Sequence, residues 1–136
     1  MQEIISIKTQ GRCTLDITRE VEKLVGHCGI DSGLCNLFIQ HTSASLIICE
    51  NADPDVRTDL ENFMQRMIKD GDALFRHTAE GPDDMPAHIR NVITSSSLTI
   101  PIAKGRCLLG AWQGIYLWEH RFKAHVRNII VTIQGE

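Results

Sequence analysis

Short stretches of alternating apolar and polar residues run along most of this chain. Strand side chains point alternately to opposite faces, so each such stretch predicts a β-strand with one buried face. The predicted strands are 3–8, 13–17, 34–40, 44–50, 97–102, 106–111, 115–119 and 126–133. We expect the first two to form a hairpin and the last four to form an antiparallel meander.

Apolar residues at helical spacing predict two or three helices between these strands. Thr18 is expected to cap the first helix, and Asp53 the longest one, with Pro54 at its first position. A short helix is predicted at 86–93. The preceding residues, 71–85, show neither helical nor strand periodicity, and a loop of this length is typical of a functional loop. The fold class is therefore α+β, a single domain over residues 1–136 with helices covering mostly antiparallel sheet.

The composition excludes several classes of protein. Fourteen basic residues stand against seventeen acidic ones, and aromatic residues make up 5% of the chain. A general nucleic-acid binder would have excess positive charge, so we expect no nucleic-acid partner. The chain shows neither a signal peptide nor an apolar run near the ~20 residues that span a bilayer, and its five cysteines form no C-x-x-C. We expect a cytoplasmic protein with reduced cysteines and no membrane partner.

Six histidines are many for a chain of this length. His77 and Glu80 lie three residues apart in the long predicted loop, and His88 follows in the short helix. Imidazole and carboxylate together suit Zn²⁺ or a similar divalent ion, whose open positions bind water or a phosphoryl oxygen. The alternative is that all three are ordinary polar residues of an exposed loop.

Two further polar segments adjoin apolar strands. Residues 41–45 cluster His, Thr and Ser, which suits a ligand site but also the backbone bonding of a turn. Residues 50–55 bring three carboxylates within six positions, which suits Mg²⁺ beside a phosphorylated ligand. The alternative is that Asp53 and Asp55 serve only the start of the following helix.

Glycines interrupt the second half of the chain at 110–115, on either side of Trp112 and Gln113. Glycine weakens a strand, so this segment indicates a close backbone approach or a bulge that turns both side chains into a pocket. A hairpin with a packed Trp is the alternative. A basic cluster at 120–127 either binds an anion or is a solvated turn.

Several of these motifs occur together, in this order, in a known family. They are Gln40-His41-Thr42-Ser43-Ala44-Ser45-Leu46, Glu50-Asn51-Ala52-Asp53-Pro54, Asp83-Asp84-Met85-Pro86-Ala87-His88-Ile89, the segment 110–115 and Trp118-Glu119-His120-Arg121. The chain resembles the YjbQ-like family, also called the secondary thiamine-phosphate synthase enzyme family, over essentially its whole length. Ala111 departs from the family pattern, which usually has Thr there, so no role of that hydroxyl carries over.

The resemblance implies a sandwich-like antiparallel sheet, a homotrimer and a thiamine-phosphate synthase activity that is secondary to another role. That reaction joins a thiazole phosphate to a pyrimidine carrying diphosphate, and it needs cationic groups to stabilise the departing pyrophosphate. We expect an enzyme that acts on a small phosphorylated molecule with a divalent metal ion, Zn²⁺ or Mg²⁺, and no organic cofactor. The alternative is a non-catalytic trimeric module that binds a metabolite or a metal.

The expected site combines residues of these motifs. The expected metal ligands are His41, His77 and His88. The expected catalytic residues are His41, Asp53, Glu80 and Glu119. The expected ligand contacts are Thr42, Ser43, Asn51, Trp112, Gln113 and Arg121, with Arg121 on phosphate.

Overall fold

The structure, a computed structural model, describes residues 1–136 and contains eight strands and three helices. The strands are β1 (Gln2–Lys8), β2 (Cys13–Asp16), β3 (Ser32–Ile39), β4 (Ala44–Glu50), β5 (Ser97–Ala103), β6 (Arg106–Cys107), β7 (Gln113–Glu119) and β8 (Val126–Gly135). The helices are α1 (Thr18–His27), α2 (Pro54–Met67) and α3 (Asp84–Ile93). None of the helices has the length and apolar content needed to cross a membrane.

All strand pairs are antiparallel and form two sheets, which confirms the predicted α+β class. One sheet has the strand order β1-β8-β3-β5-β6, and the other has the order β2-β7-β4. Leu37 and Val131 of the first sheet meet Leu46 and Leu117 of the second in a core of sixteen buried residues. Burial of this apolar surface between the sheets is the main stabilising contribution to the sandwich.

The predicted pairing of neighbouring strands is wrong except for β5 and β6, which do pair. β1 pairs with β8, and β2 pairs with β7, so the first two strands lie in different sheets. The last four strands form no meander, because β7 lies between β2 and β4 in the second sheet. The alternation of apolar and polar residues shows which face of a strand is apolar. The strand it pairs with depends instead on which distant strand shares the core. Ile5 of β1 faces Ile129 of β8 for that reason.

The first two helices begin differently from each other. Ile17, not Thr18, occupies the N-cap position of α1, because the Thr18 hydroxyl accepts a hydrogen bond from the Ile115 N–H at 2.8 Å. The predicted cap of α2 is confirmed. Asp53 accepts a hydrogen bond from the Asp55 N–H at 2.9 Å, and Pro54 is the first helical residue.

Helices α2 and α3 cover the outer face of the three-stranded sheet, where Met64, Ile68 and Trp118 form a second apolar cluster. Helix α3 begins at Asp84, two residues before the predicted start at Pro86. Proline is tolerated in a first helical turn because its missing N–H would be unpaired there. The earlier start places Asp84 and His88 one turn apart on the same helix face.

The cysteines are reduced, as predicted. All five are free, and Cys35 and Cys107 are buried in the core while the other three are half-buried. None of them contributes to the polar groups described below.

Candidate functional site

Three metal-ligating side chains meet where the loop after α2 reaches the start of α3. Asp84 and His88 come from the first turns of α3, and His77 comes from the loop. The Asp84 Oδ2 atom lies 2.6 Å from His77 Nε2 and 3.3 Å from His88 Nε2. All three ligand atoms lie within 4.8 Å of one another. We call this set the His77–Asp84–His88 group.

Arg121 holds the carboxylate of this group in place. Its Nη1 donates to Asp84 Oδ1 at 2.7 Å, its Nε donates to Asp83 Oδ2 at 2.8 Å, and its Nη2 donates to the Glu80 carbonyl at 2.9 Å. One Asp84 oxygen thus faces Arg121, which leaves the other directed at the two imidazoles. Partners of this kind orient the ligands of a metal and preserve its geometry.

Asp84 is a buried carboxylate that stays ionised. Burial by itself would raise its pKa, but the hydrogen bond from His77 and the charge of Arg121 outweigh burial and hold the pKa below its usual value. The pKa of Asp83 is likewise lowered, because hydrogen bonds from Arg121 and the Phe122 N–H outweigh its burial. An ionised Asp84 is the form that binds a cation.

The His77–Asp84–His88 group has the composition of a zinc site with an open position. Catalytic zinc is held by three protein ligands, often two His and one carboxylate, with water in the fourth place. Ligand atoms on a tetrahedral ion with bonds of about 2.1 Å lie about 3.4 Å apart, close to the distance between Asp84 and His88. The His side chains are 44% and 36% exposed, so a ligand from solvent can reach the open position.

The carboxylate of the group is not the one expected from the sequence. Glu80 has a side chain that is 65% exposed and lies 3.9 Å from Arg121, while Asp84 takes its place beside the histidines. The spacing of Asp84 and His88 signals a shared helix face, but only once the helix is known to begin at Asp84.

His41 does not join this group, so its expected place beside His77 and His88 is corrected. Its Nε2 accepts a hydrogen bond from the Asn128 N–H at 2.8 Å, and its Nδ1 lies 3.3 Å from Nη1 of Arg127. Burial and the Arg127 charge lower the pKa of His41. A cation bound to this imidazole would be repelled by Arg127.

Glu119 forms a buried ion pair with Arg127 at one end of the sandwich, between the two sheets. Its Oε1 also accepts a hydrogen bond from the Thr9 hydroxyl at 2.7 Å, and Arg127 donates to the Ser43 hydroxyl at 2.9 Å. Burial would raise the Glu119 pKa, but the bonds from Arg127 and Thr9 keep it below its usual value. These contacts give Glu119 the environment of a structural carboxylate rather than of a free base.

Glu119, at the end of β7, is hydrogen-bonded to the backbone of the next two residues, His120 and Arg121. Glu119 Oε2 accepts hydrogen bonds from the backbone N–H groups of His120 and Arg121, at 3.0 and 3.2 Å. His120 points to the other face of the sheet, where its Nε2 lies 2.8 Å from the Ser45 hydroxyl. Burial and the nearby arginines, Arg90 first, lower the pKa of His120 to about 3, so this imidazole is neutral.

The remaining expected site residues lie at two exposed turns. Asn51 donates from its backbone N–H to the Trp112 carbonyl at 2.9 Å, and Gln113 accepts a hydrogen bond from the Gly110 N–H at 2.8 Å. The predicted close approach is confirmed at Gly114, where an added Cβ would lie 2.9 Å from the Tyr116 ring. None of these residues belongs to the His77–Asp84–His88 group.

Three of the expected site residues are therefore either exposed to solvent or used in a helix cap. Trp112 is 65% exposed, Asp53 caps α2, and Thr42 is exposed in the loop between β3 and β4. Arg121 donates from all three of its nitrogens to protein oxygens, including Asp84 Oδ1, and its contact with phosphate stays a prediction.

Comparison with known proteins agrees with this architecture. The family model described as "UPF0047 protein YjbQ-like" matches residues 3–136. The chain belongs to this YjbQ-like family. The UPF0047 protein sll1880 of Synechocystis sp. is 50% identical over 135 residues, covering 99% of this chain and 92% of the relative. The UPF0047 protein YjbQ of Salmonella typhimurium is 43% identical, covering 99% and 98%.

A solved structure of the family shows the same fold. The crystal structure of an uncharacterized conserved protein of the YjbQ/UPF0047 family from Clostridium acetobutylicum is 34% identical, with a TM-score of 0.89. The match covers 97% of this chain and 99% of that one. Membership in the YjbQ-like family thus establishes the fold, and the chemistry has to be inferred from the residues described above.

Proposed function

We propose that this YjbQ-like chain is an enzyme that binds a divalent metal ion at His77, Asp84 and His88 and acts on a small phosphorylated ligand. The observation that carries the proposal is the convergence of two imidazoles on a carboxylate that Arg121 holds ionised and oriented. An ionised carboxylate beside two solvent-accessible imidazoles is the kind of cluster that is typical of functional sites.

The ligands favour zinc over magnesium. Mg²⁺ takes oxygen ligands and keeps most of its waters, whereas Zn²⁺ accepts imidazole nitrogen together with one carboxylate. When bound, such an ion would act as a Lewis acid on a phosphoryl oxygen or on a departing pyrophosphate. Asp84 and the two histidines would hold the ion, and Arg121 would keep Asp84 in position.

A depression of about 340 Å³ adjoins the group and provides room for a ligand. Its wall includes His77 itself, the ring of Phe75 and the hydroxyl-bearing Thr78. An apolar ring surface beside a metal suits a ligand that combines a heterocycle with a phosphate. This supports weak thiamine-phosphate synthase activity as the reaction to test first, in line with the family resemblance.

A non-catalytic binding module is the second candidate, and one observation favours it. None of the carboxylates expected to be catalytic lies free beside the histidines, since Glu119 pairs with Arg127, Asp53 caps a helix and Glu80 is exposed. A chain that binds metal and ligand without a free base would bind without turnover.

We also propose a homotrimer, with a cytoplasmic location. Ile4, Ile130 and Phe38 form a row across three neighbouring strands on the outer face of the five-stranded sheet, where Ile4 is 62% and Phe38 46% exposed. A closed assembly of identical chains would cover this apolar row and the sheet edges near it.

Metal content and pyrophosphate release together test the proposed function. After dialysis against Zn²⁺ and removal of free ion, we expect one zinc per chain by mass spectrometry, and pyrophosphate release from the two thiamine precursors. His88→Ala should lose both. The matched control His27→Ala, an exposed histidine on α1, should lose neither.

Each outcome separates the candidates. Zinc binding without pyrophosphate release from the two precursors would favour the binding module over the synthase reaction. Full zinc content in folded His88→Ala protein would contradict the metal site itself.

A further inference from the structure

The contacts of His41 determine which of its ring nitrogens carries the proton. A backbone N–H can only donate, and that of Asn128 points at Nε2 from 2.8 Å. Nε2 must therefore be the acceptor, so the proton of the neutral ring is on Nδ1. The neutral form is the one that burial and the Arg127 charge favour.

This tautomer places two donors opposite each other. The Nδ1–H of His41 faces Nη1 of Arg127 at 3.3 Å, and a guanidinium nitrogen also only donates. The other nitrogens of Arg127 are used, since Nε and Nη2 donate to Glu119 and Nη2 also donates to Ser43. The Arg127 side chain is only 4% exposed, and Nη1 is its one nitrogen that has no protein oxygen to receive its hydrogens.

Both donors line an open groove of about 620 Å³. Ser43, Asn91 and Ser96 add polar groups to its wall, and Phe38 adds an apolar ring. No carboxylate lines the groove, and Glu119 lies on the far side of Arg127 where it fixes the guanidinium. The groove therefore offers hydrogen-bond donors to an incoming oxygen without a competing negative charge.

We propose that His41 and Arg127 form a binding site for an anionic oxygen, separate from the metal group. The ligand class is a small oxyanion, either a phosphoryl group or a carboxylate, which accepts from Nδ1–H of His41 and Nη1–H of Arg127 together. An oxygen between the two donors converts an unfavourable donor–donor contact into two hydrogen bonds. The proposal does not rest on the metal-dependent function.

The experiment uses the full chain, labelled with ¹⁵N histidine and treated with EDTA so that any metal contribution is removed. Long-range ¹H–¹⁵N spectra at pH 7.5 report the tautomer, and we expect the His41 proton on Nδ1. Titration with inorganic phosphate should then shift the His41 ring signals and, in uniformly labelled protein, the Asn128 amide. A parallel titration with acetate distinguishes the sources, because a shift with phosphate alone indicates a phosphoryl ligand.

Two variants assign the binding to His41. His41→Phe keeps a ring but has no donor, so the phosphate affinity read at the Asn128 amide should fall about tenfold, the effect of one lost hydrogen bond. His41→Asn retains an N–H near the position of Nδ1 and should keep most of the affinity. A proton found on Nε2, or no shift at His41 with either anion, would overturn the proposal. Equal affinity in wild type and folded His41→Phe protein would overturn it as well.

Discussion

Arg121 shows how one side chain can define the proposed metal site without touching the metal. It spans Asp83, Asp84 and the Glu80 carbonyl, so it connects the loop to the first turn of α3. The sequence identifies Arg121 as a basic residue near the motifs, and its role as a partner of Asp84 emerges only from the fold. Its effect is to prevent Asp84 from turning away from the histidines.

Replacing Arg121 should therefore weaken metal binding. We expect Arg121→Met to lower the zinc affinity by about 10- to 100-fold, the usual effect of losing a partner that orients a ligand. Competition with a chromophoric chelator measures this affinity. Arg57→Met, which removes a half-buried arginine of α2 that contacts Tyr116, is the matched control and should change it little. Equal affinities in the two variants would contradict the role of Arg121.

His120 makes a separate contribution, to the pH dependence of stability. Its pKa falls from 6.5 to about 3 in the folded chain, mainly because it is buried. Below pH 6.5 the unfolded state binds a proton that the folded state does not, so stability decreases as the pH falls from 6.5 toward 3. The slope is about 1.4 kcal/mol per pH unit for one such group.

The variant His120→Gln should remove this component. Urea unfolding at pH 7.5 and 5.0 should show a loss of stability in the wild type that exceeds the loss in the variant by about 2 kcal/mol. The carboxylates with lowered pKa titrate below this window, and His41 is common to both proteins. The same pH dependence in both proteins would show that His120 is protonated in the folded state.

At the scale of elements, alternation and helical spacing were sufficient to find the strands and helices but not to pair the strands. Every predicted strand exists, although 106–111 shortens to Arg106–Cys107. The pairing of β1 with β8 joins residues more than a hundred positions apart, and no local pattern encodes such a partner. For the same reason, no local pattern reveals the contact between Arg127 and His41.

The sequence predicts the first residue of α2 correctly but not that of α3. The Asp-Pro-Asp order is a local signal that identifies Asp53 as a cap, whereas Pro86 suggests a helix start two residues later than the observed start at Asp84. Asp84 was consequently absent from the expected metal ligands. Because the predicted boundary lies two residues too late, the sequence places Glu80 rather than Asp84 beside the histidines.

Two substitutions at Asp53 distinguish a helix-capping role from a catalytic role. Asparagine retains the capping oxygen, so Asp53→Asn should keep both stability and activity, while Asp53→Ala should lose about 1 kcal/mol of stability. Thermal or urea unfolding, together with pyrophosphate release, measures the two quantities. Loss of pyrophosphate release in stable Asp53→Asn protein would restore a catalytic role.

For the whole molecule, the apolar row on the five-stranded sheet determines the expected assembly. Ile4 and Ile130 face each other across β1 and β8, and Ile130 also faces Phe38 on β3. A charge in the centre of a buried subunit interface is unfavourable, so it should favour separate chains.

Ile4→Glu should therefore convert a trimer to a monomer at micromolar concentration. Light scattering after size-exclusion chromatography measures the mass directly. The matched control Val92→Glu introduces the same charge at a residue of α3 that is 80% exposed and lies off the row, and it should remain trimeric. A wild-type protein with the mass of one chain would contradict the trimer.

Anomalous diffraction at the zinc edge, from crystals of the zinc-loaded protein, determines whether His77, Asp84 and His88 bind a metal ion. We expect one peak per chain, about 2.0 to 2.2 Å from a nitrogen of each histidine and from an Asp84 oxygen. The peak should be absent from crystals of His88→Ala. A zinc-loaded crystal with no peak among these three side chains would show that they do not form a zinc site.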